Sequence, residues 1–584
     1  MLDRMQGPRM SWIAWGKLTR DDSGEVVATL DLVSHCLDVA AVVAALMEVP
    51  VIRSRLERLA NRALSNRDVD RLSVLAFLHD IGKASRGFQG KRFVGNEQKA
   101  WLGTIQFHEC GHTHSVGALF HDDQLCQRFC ATFPLEEIAR WHPDLDEFSL
   151  WMAAISHHGT PINIASLHGR LTEAWKPNNQ YDPFDTLREI GEAARRIWPD
   201  AFEQDGIVLP APPAFTHAFA GLVSLADWIG SDTQPLAFPY DLAPAESRWS
   251  ESQRRAGDVL RDKRIDLQEL QSWLSGNRPA FGDVFVDPAS RAPYAPTPLQ
   301  KRMSDPSLGP LIVVEAETGS GKTEAALWRF KSLFEVGAVD SLAFVLPTRV
   351  SAVQIEQRIR GFIEALFPDQ PHRPNVVLAV PGYLRVDGVD ATERLPEFQV
   401  LWPDSQIEEL AHLRWAAENS KRYLAASCAV GTIDQVLLSG LPSRHAHLRG
   451  FSLLRSLLVV DEVRASDRYM IRILQQVLSR HVQSGGHALL LSATLGVAAR
   501  DELLALGGRA SLREAAARES APYPAITDFS GSRKIPATGS DHSKHVSVVL
   551  QPWLQDAARI AQQAAGAVNG GARVLIVRNT VAAR

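Results

Sequence analysis

The chain has 584 residues, of which 45% are hydrophobic and 22% charged, and its formal net charge is −5. A chain of this length is too long for one hydrophobic core, and it predicts three or four domains of ordinary globular composition. The slight negative charge excludes a global basic field. Any nucleic acid would therefore have to bind in local basic grooves.

Cysteine content and hydropathy predict a cytoplasmic protein. The five cysteines form no C-x-x-C pair and are sparse for the length, which indicates a reduced compartment. The opening sequence MLDRM is not followed by an apolar stretch of the signal-peptide type. The longest apolar runs, such as 311–314 and 488–491, have the length of strands, so we expect no membrane partner.

The first part of the chain, to about residue 235, has the pattern of a mostly helical domain. Apolar residues recur there at helical spacing, for example in the segments 32–46 and 72–78. More than half of the nineteen histidines lie in this part. This uneven distribution indicates histidine chemistry in the helical domain.

An adjacent histidine and aspartate form the strongest candidate for a metal site. His79 and Asp80 follow the apolar residues Phe77 and Leu78, and burying both polar side chains would cost several kcal/mol without compensation. A metal would compensate both, and two neighbouring ligands can each reach one metal of a pair about 4 Å apart. Lys83 lies one turn further on the same face and could hold a phosphate, so His79, Asp80 and Lys83 are candidate catalytic residues.

The other candidate ligands are spread through the same part of the chain: His35, His112 or His114, His157, His158 and Asp227. We prefer His112 to His114 because Val116 and Leu119 follow it at the spacing of a helix inner face. A ligand set rich in imidazole favours Fe, Mn, Co, Ni or Zn over Mg, and it suits phosphoester hydrolysis. The alternative is that some of these histidines are structural core residues.

From residue 311 the pattern changes to short apolar runs alternating with longer helical stretches. This alternation predicts a parallel sheet covered by helices, with strands at 311–314, 342–346, 457–460 and 488–491. Before it, a charged helix over 245–274 and a proline-rich run predict a connector. After it, a polar break at 530–543 precedes a predicted strand, helix and strand at 546–550, 557–568 and 574–577.

The segment EAETGSGKTE, directly after the first of these strands, has the pattern of a phosphate-binding loop. Its backbone N–H groups would surround the phosphates, Lys322 would neutralise their charge, and the Thr323 hydroxyl would hold Mg²⁺. The candidate nucleotide-binding residues of the loop are Thr318, Gly319, Ser320, Gly321, Lys322 and Thr323. Gln300, just upstream, fits a residue that reads adenine.

Two carboxylates follow the strand predicted at 457–460. Asp461 would coordinate Mg²⁺ through water, and Glu462 would activate the attacking water. The triplet Ser492-Ala493-Thr494 after the next strand fits an element that couples nucleotide state to nucleic acid. The loops 347–349 and 431–435 are placed to contact a DNA backbone, and plain turns are the alternative for each.

With both halves in view, the chain resembles the helicase–nuclease effector of type I CRISPR systems, in which an N-terminal HD nuclease precedes a superfamily-two helicase. One part of the resemblance is the series His35, His79-Asp80, Lys83, His112, His157-His158 and Ala226-Asp227-Trp228. The other part is the segments EAETGSGKTEA, VGTIDQVLL and VVDEV. The opening Trp15-Gly16-Lys17 is also similar to the start of the family.

The resemblance implies a multidomain fold: an all-α HD domain (1–235), a connector (236–295), an α/β RecA-like helicase lobe (296–525), a linker (526–545) and the beginning of a second RecA-like lobe (546–584). It implies two divalent transition metals, Mn, Fe, Co or Ni, in the HD site, and ATP with Mg in the lobe. It further implies recruitment by a CRISPR RNA-guided surveillance complex to an R-loop. There the protein would nick the displaced strand and translocate 3′ to 5′ while degrading single-stranded DNA.

Two departures from the family pattern qualify this expectation. Arg464 stands where the family has the histidine of D-E-V-H, which brings the coupling of that element to the motor into question. The segment 574–581 is similar to the opening of the second lobe, and no Q-x-x-R-x-G-R element follows it. We therefore expect this polypeptide alone to hydrolyse ATP slowly, as a fragment or as half of a split enzyme that a second chain completes.

Three other readings stay open at this stage. The first is a nuclease whose incomplete motor serves only for docking. The second is an HD phosphohydrolase that acts on nucleotides, although such an enzyme has no use for the DNA-facing loops. The third is a non-catalytic interaction subunit, although the complete set of candidate ligands argues against that as its only role.

Overall fold

The structure is a computed structural model. It describes residues 12–21, 24–105, 111–142, 149–159, 169–204, 206–231, 238–241, 243–380, 383–386, 389–390, 423–506, 522–536, 547–553 and 555–576. The chain divides into two compact units, Met1–Pro536 and Ala537–Arg584. The larger unit contains a helical domain followed by an α/β lobe.

The helical domain begins with an antiparallel hairpin, β1 (Trp15–Arg20) and β2 (Val26–Asp31), so it is not purely helical. Its helices are α1 (Leu32–Glu48), α2 (Pro50–Ala60), α3 (Asn66–Phe77), α4 (Arg86–Gln89), α5 (Gly95–Leu102), α6 (His112–His121), α7 (Asp123–Thr132), α8 (Leu135–Ala139), α9 (Ser149–Ile155), α10 (Pro183–Ile197), α11 (Pro213–Gly230) and α12 (Ala245–Asp262).

Helices α1 and α11 form the centre of this domain. Both are apolar around most of their circumference, and nearly all their residues are buried, as expected for helices enclosed by others. Helix α1 packs against α3, α11 and α12. Polar side chains on these two helices are therefore held in a dry interior.

Helix α12 differs from the predicted connector because it packs on the helical domain. Its buried Arg248 donates to both oxygens of Asp38 on α1, at 2.9 and 2.5 Å. Ala256, Val259 and Leu260 give the helix an apolar stripe that joins the core. The charged helix predicted over 245–274 is in fact two helices, and the second, α13 (Gln268–Asn277), packs on the α/β lobe.

The α/β lobe contains a ten-stranded sheet. Its strands are β3 (Leu311–Glu315), β4 (Ser341–Leu346), β5 (Val376–Val380), β6 (Tyr383–Val386), β7 (Val389–Asp390), β8 (Cys428–Thr432), β9 (Ser456–Val460), β10 (His487–Ser492), β11 (Ala525–Asp528) and β12 (Gly531–Lys534). Its helices after α13 are α14 (Phe281–Val284), α15 (Pro298–Arg302), α16 (Lys322–Glu335), α17 (Arg349–Leu366), α18 (Ile433–Leu437), α19 (Ala446–Leu454), α20 (Arg468–Gln483) and α21 (Val497–Leu504).

The strand order is β12-β11-β3-β10-β9-β4-β8-β5-β6-β7. The six central strands are parallel, whereas β11, β12, β6 and β7 extend the two edges in antiparallel pairing. The four strands predicted from the sequence are confirmed as β3, β4, β9 and β10. Because these strands are parallel, the loops that follow them meet at one edge of the sheet.

The structure departs from the predicted boundaries at the end of the lobe. Strands β11 and β12 lie in the predicted linker, yet β11 pairs with β3 and therefore belongs to the lobe's sheet. In the second unit, α22 (Ala557–Asn569) matches the predicted helix. The predicted strands are absent at the described residues 547–550 and 574–576, where apolar side chains such as Leu550 and Leu575 are exposed and no partner strand is described. Residues 537–546 and 577–584 lie outside the described residues.

Among the described residues, no single helix combines the length and the apolar composition needed to cross a membrane. Helices α1 and α2, bent by 88° between them, meet those criteria only as a pair.

Candidate metal centre and nucleotide site

Five elements of the helical domain bring the predicted ligands to one place. His35 lies in the buried α1 and Asp227 near the end of the buried α11. His79 and Asp80 follow the end of α3, and His112 is the first residue of α6. His157 and His158 follow α9. The cluster thus forms where helix ends meet two core helices.

The ligand atoms form two groups, each within 4.8 Å of one another. One group is His35, His79, Asp80 and Asp227, and all four are buried. The other is Asp80, His112, His157 and His158. The structure therefore brings together every predicted metal ligand except His114, whose side chain lies outside the described residues.

Asp80 belongs to both groups because its two carboxylate oxygens face opposite ways. Its Oδ2 lies 3.0 Å from His35 Nε2 and 3.2 Å from His79 Nε2. Its Oδ1 lies 3.1 Å from His112 Nε2 and 3.6 Å from His157 Nε2. A carboxylate in this position can bridge two metals, one in each group.

Hydrogen bonds behind the rings aim two of the histidines into the cluster. The Nδ1 atoms of His79 and His157 donate to the carbonyls of Ala76 and Ala154, at 2.8 and 2.9 Å. This fixes the tautomer that leaves each Nε2 lone pair facing inward, as in metal-binding histidines. Within the described chain, neither Nε2 atom nor Asp80 Oδ1 makes a well-aligned hydrogen bond, although His79 Nε2 and His112 Nε2 lie 3.2 and 3.1 Å from the Asp80 carboxylate. Such inward polar atoms fit a bound metal and are costly without one.

The charge states of His157, His158 and Asp80 suit metal binding, whereas His79 is protonated at pH 7 without a metal. Burial lowers the pKa of His157 and of His158 to about 4, so both imidazoles are neutral and carry a free lone pair at pH 7. Burial opposes ionisation of Asp80, but Lys83 and His79 outweigh it and hold its pKa well below the ordinary value. Burial likewise opposes protonation of His79, but the carboxylates of Asp80 and Asp227 raise its pKa to about 9, so a metal that binds His79 would have to displace its Nε2 proton.

Two lysines lie beside this cluster. The Lys83 ammonium is 2.5 Å from Asp80 Oδ2 and donates to the Gly16 carbonyl at 3.1 Å, so it pairs with a ligand instead of facing solvent. The buried Lys17 was not predicted as a site residue. Burial lowers its pKa to about 8, against the attraction of Asp227 and Asp80. Its position in the Trp15-Gly16-Lys17 opening was the one available signal.

The predicted phosphate-binding loop joins β3 to α16, as the pattern requires. Gly319 and Gly321 have positive φ angles of 82° and 81°, which only glycine adopts freely. Lys322 Nζ donates to the loop carbonyls of Ala316 and Glu317, at 2.8 and 3.0 Å. Gln300 donates to the Gly321 carbonyl at 3.3 Å, so it contacts the loop directly.

Asp461 and Glu462 follow β9 at the same edge of the sheet. Burial lowers the pKa of Lys322, and the negative charges of these two carboxylates oppose that shift. Burial raises the pKa of Asp461, which Lys322 and Arg358 oppose. Arg358, on α17, was not predicted. Its guanidinium donates to the Thr323 hydroxyl at 3.1 Å and pairs with Glu324.

Side chains connect the triplet 492–494 to the DEVR segment and to the end of β3. Arg464, which replaces the expected histidine, donates to Thr494 Oγ1 at 2.5 Å. The buried Glu315, at the end of β3, accepts from the backbone N–H groups of Leu495 and Gly496 and pairs with Arg500 at 2.8 Å. Arg464 therefore joins the DEVR segment directly to the triplet.

The two loops predicted to contact DNA lie at the same edge of the sheet. Thr348 caps the N-terminus of α17, and the adjacent Arg349 is exposed. Thr432 ends β8, directly before α18. Their placement after parallel strands agrees with the expected position, and their contact with DNA stays a prediction.

Comparison with protein families matches residues 15–235 to the family described as "Cas3, HD domain". The CRISPR-associated endonuclease/helicase Cas3 of Escherichia coli (strain K12) is 28% identical over 97% of this chain and 64% of its own length. The protein of the same name from Thermus thermophilus is 29% identical over 94% of this chain and 57% of its own length. The chain thus spans less than two thirds of these relatives.

Solved structures share the fold. The crystal structure of T. fusca Cas3-ATP superposes with a TM-score of 0.63 at 23% identity, over 95% of this chain and 60% of that one. A structure titled "CRISPR RNA-guided surveillance complex, pre-nicking" gives a TM-score of 0.54 at 21% identity, over 88% of this chain and 52% of that one. Residues 15–235 thus match the Cas3 HD-domain family, and the chain as a whole is similar to Cas3 proteins in sequence and in fold.

Proposed function

We propose that this chain is a metal-dependent nuclease that cuts single-stranded DNA in CRISPR interference, joined to an ATP-dependent helicase lobe. The observation that carries the proposal is the pair of ligand groups that share Asp80. Such a pair is the arrangement that two-metal phosphodiesterases use to hold both the attacking and the leaving oxygen. The relatives' names, endonuclease/helicase, support the same pairing of activities.

The residues of the HD site form two proposed sets of metal ligands, and Lys83 lies beside them. His35, His79 and Asp227 would hold one metal and His112, His157 and His158 the other, with Asp80 between them. Two divalent transition metals, Mn, Fe, Co or Ni, would supply the Lewis acid for phosphodiester hydrolysis when bound. Lys83, beside Asp80, would contact a phosphate oxygen of the bound strand.

The helicase lobe would bind ATP and Mg²⁺. Gly319 to Thr323 would surround the phosphates, Asp461 would hold Mg²⁺ and Glu462 would orient water. We propose that the lobe moves 3′ to 5′ along the displaced strand of an R-loop and that a CRISPR RNA-guided surveillance complex recruits it. The structural neighbour titled as a surveillance complex supports this partner.

The test is cleavage of circular single-stranded DNA by the purified chain with Mn²⁺, Ni²⁺ or Co²⁺, with and without ATP. We expect metal-dependent cutting without ATP, and we expect Asp80→Asn to abolish it. Asp340→Asn is the matched control, because Asp340 is also a buried aspartate, paired with Arg455 at 2.5 Å in the lobe. Absence of cutting with every metal would refute the nuclease. Hydrolysis of mononucleotides in place of DNA would favour a nucleotide phosphohydrolase.

A further inference from the structure

The segment 444–447 of the helicase lobe contacts the back of the HD metal centre. This segment includes the first two residues of α19, which packs along α11 of the HD domain. The crossing is close: a Cβ at Gly221 would lie 2.4 Å from Phe451 Cβ and 2.5 Å from the His447 carbonyl oxygen. The lobe and the helix that carries Asp227 are therefore in direct backbone contact.

Three consecutive carbonyls of the HD site, those of His157, His158 and Gly159, are bonded at this interface. The His157 carbonyl accepts from Ser224 Oγ at 2.7 Å, and the same hydroxyl lies 2.8 Å from His447 Nε2. The Gly159 carbonyl accepts from the backbone N–H of His445 at 3.0 Å. Arg444 Nε lies 3.5 Å from the His158 carbonyl.

The HD domain supplies the partner of the His157 carbonyl through Ser224, and the lobe supplies the partners of the next two carbonyls. Helix α9 ends at Ile155, and the carbonyls at and beyond the end of a helix have no intrahelical partner. Here the lobe supplies partners to the turn that carries both adjacent histidine ligands. Gly159 has φ +98°, a conformation that favours glycine. A Cβ at this position would lie 2.6 Å from the His445 ring, so the contact between the turn and the lobe leaves no space for a side chain.

We infer that segment 444–447 positions His157 and His158, and that the helicase lobe is thereby a structural part of the metal centre. This inference rests on the proposed metal site. Ser224 connects His447 to the ligand His157: its hydroxyl donates to the His157 carbonyl and accepts from His447 Nε2. The backbone of the ligand turn is thus bonded both within the HD domain and, through His447 and His445, to the lobe.

Segment 444–447 lies close in the chain to a segment that the sequence predicts to contact DNA. The chain runs from segment 431–435, which the sequence predicts to contact DNA, through the rest of α18 and a 3-10 turn (Leu438–Gly440) to residues 444–447. A displacement of that loop on binding DNA would act on the same short stretch of chain that holds the ligand turn. Outer partners of metal-bound histidines typically change metal affinity about 10- to 100-fold when they are removed.

The test compares His447→Ala, His447→Gln and His217→Ala in the full chain, each freed of metal and then titrated with Mn²⁺. We expect His447→Ala to weaken one of two Mn²⁺ sites about tenfold and leave the other unchanged. Gln carries a donor at a position close to His Nε2 and is expected to restore the affinity. His217, on α11 against Gly450 in the same interface, is the matched control and should leave both sites unchanged.

A second measurement needs no metal. Amide hydrogen exchange of residues 150–159 in the metal-free protein should be about fivefold faster in His447→Ala, the effect of losing a hydrogen bond of about 1 kcal/mol. Ser224→Ala should give the same change, and it serves if His447→Ala does not fold.

The possible failures can be told apart. Unchanged Mn²⁺ affinity and exchange in His447→Ala and Ser224→Ala, or an equal loss in His217→Ala, would overturn the positioning role. If the wild-type chain binds Mn²⁺ and loses it on substitution of His447 but cuts no DNA, the proposed nuclease fails and the positioning role stands.

Discussion

At the scale of single residues, the HD site depends on one carboxylate with two faces. Asp80 Oδ2 lies near His35 and His79, whereas Asp80 Oδ1 lies near His112 and His157. A sequence can show that histidines and aspartates are present, but the allocation of each to a group depends on where the helices place them. This allocation makes the two proposed metals separable by mutation.

We predict that His35→Gln binds one Mn²⁺ per chain where the wild type binds two. His35 belongs only to the group with Asp227, so its loss leaves the group around His112 intact. Metal analysis after gel filtration measures the ratio. His142→Gln is the control, because His142 is a buried histidine of the same domain whose Nδ1 donates to the Ile138 carbonyl, outside both groups. Loss of both metals in His35→Gln would contradict two separable sites.

A histidine of the lobe should make the protein sensitive to acid. Burial lowers the pKa of His481 from 6.5 to about 4, and its Nε2 donates to the His487 carbonyl at 3.0 Å. Below pH 6.5 the unfolded chain takes up a proton that the folded His481 does not accept until about pH 4. Stability is therefore lost as pH falls through this window, on the order of 3 kcal/mol from this residue.

Urea unfolding at several pH values tests this prediction. His481→Gln keeps a donor near the Nε2 position but cannot titrate, so its free energy of unfolding should change less steeply between pH 6.5 and 4. An identical slope in wild type and variant would show that other groups carry the acid sensitivity.

At the scale of elements, much of the architecture follows from local pattern. The four apolar runs of the lobe are the strands β3, β4, β9 and β10, and the loop between β3 and α16 has the conformation that its glycines permit. The prediction of a linker from residue 526 was wrong at β11, which is a strand only because it pairs with β3. Its few residues carry no periodicity that would distinguish a strand from a polar loop.

The crossing of α11 and α19 yields a prediction at this scale. Gly221→Ala should lower the free energy of unfolding by about 1–3 kcal/mol, because the new methyl group meets Phe451 and the His447 carbonyl. Chemical denaturation measures the change. Gly257→Ala, on the open face of α12, has only the Arg261 guanidinium within reach at 3.7 Å and should instead stabilise by about 0.5–1 kcal/mol. Equal effects of the two substitutions would exclude a tight crossing.

At the scale of the larger unit, hydrogen bonds join the HD domain to the α/β lobe. Arg55, on α2, donates to the carbonyls of Leu454 and Ala338 in the lobe, at 3.1 and 2.6 Å. With the contacts of segment 444–447, these bonds make one unit of Met1–Pro536. We therefore expect the HD domain and the lobe to unfold together.

Arg55→Ala should weaken this joining. The substitution leaves two partly buried carbonyls without this donor and should cost about 1–3 kcal/mol. In calorimetry we expect one transition for the wild type and a broadened or split transition for the variant. Arg53→Ala is the control, since Arg53 lies on the same helix and pairs with Glu57 at 2.9 Å inside the HD domain. A single, unshifted transition in Arg55→Ala would mean that other contacts hold the unit together.

The sequence by itself determined the candidate site residues of this protein: the pattern of a phosphate-binding loop, the pair Asp461 and Glu462, and the histidines and aspartates of the proposed metal centre. The two nucleotide motifs are local in sequence, and histidine and aspartate are uncommon in apolar helices. Both kinds of feature can therefore be recognised in the sequence alone. The tertiary structure alone decided that Asp80 is shared by two groups, that Arg464 contacts Thr494, and that segment 444–447 contacts the turn that carries His157 and His158. These contacts join residues far apart in the chain, and their partners are ordinary polar groups until packing brings them within hydrogen-bond distance.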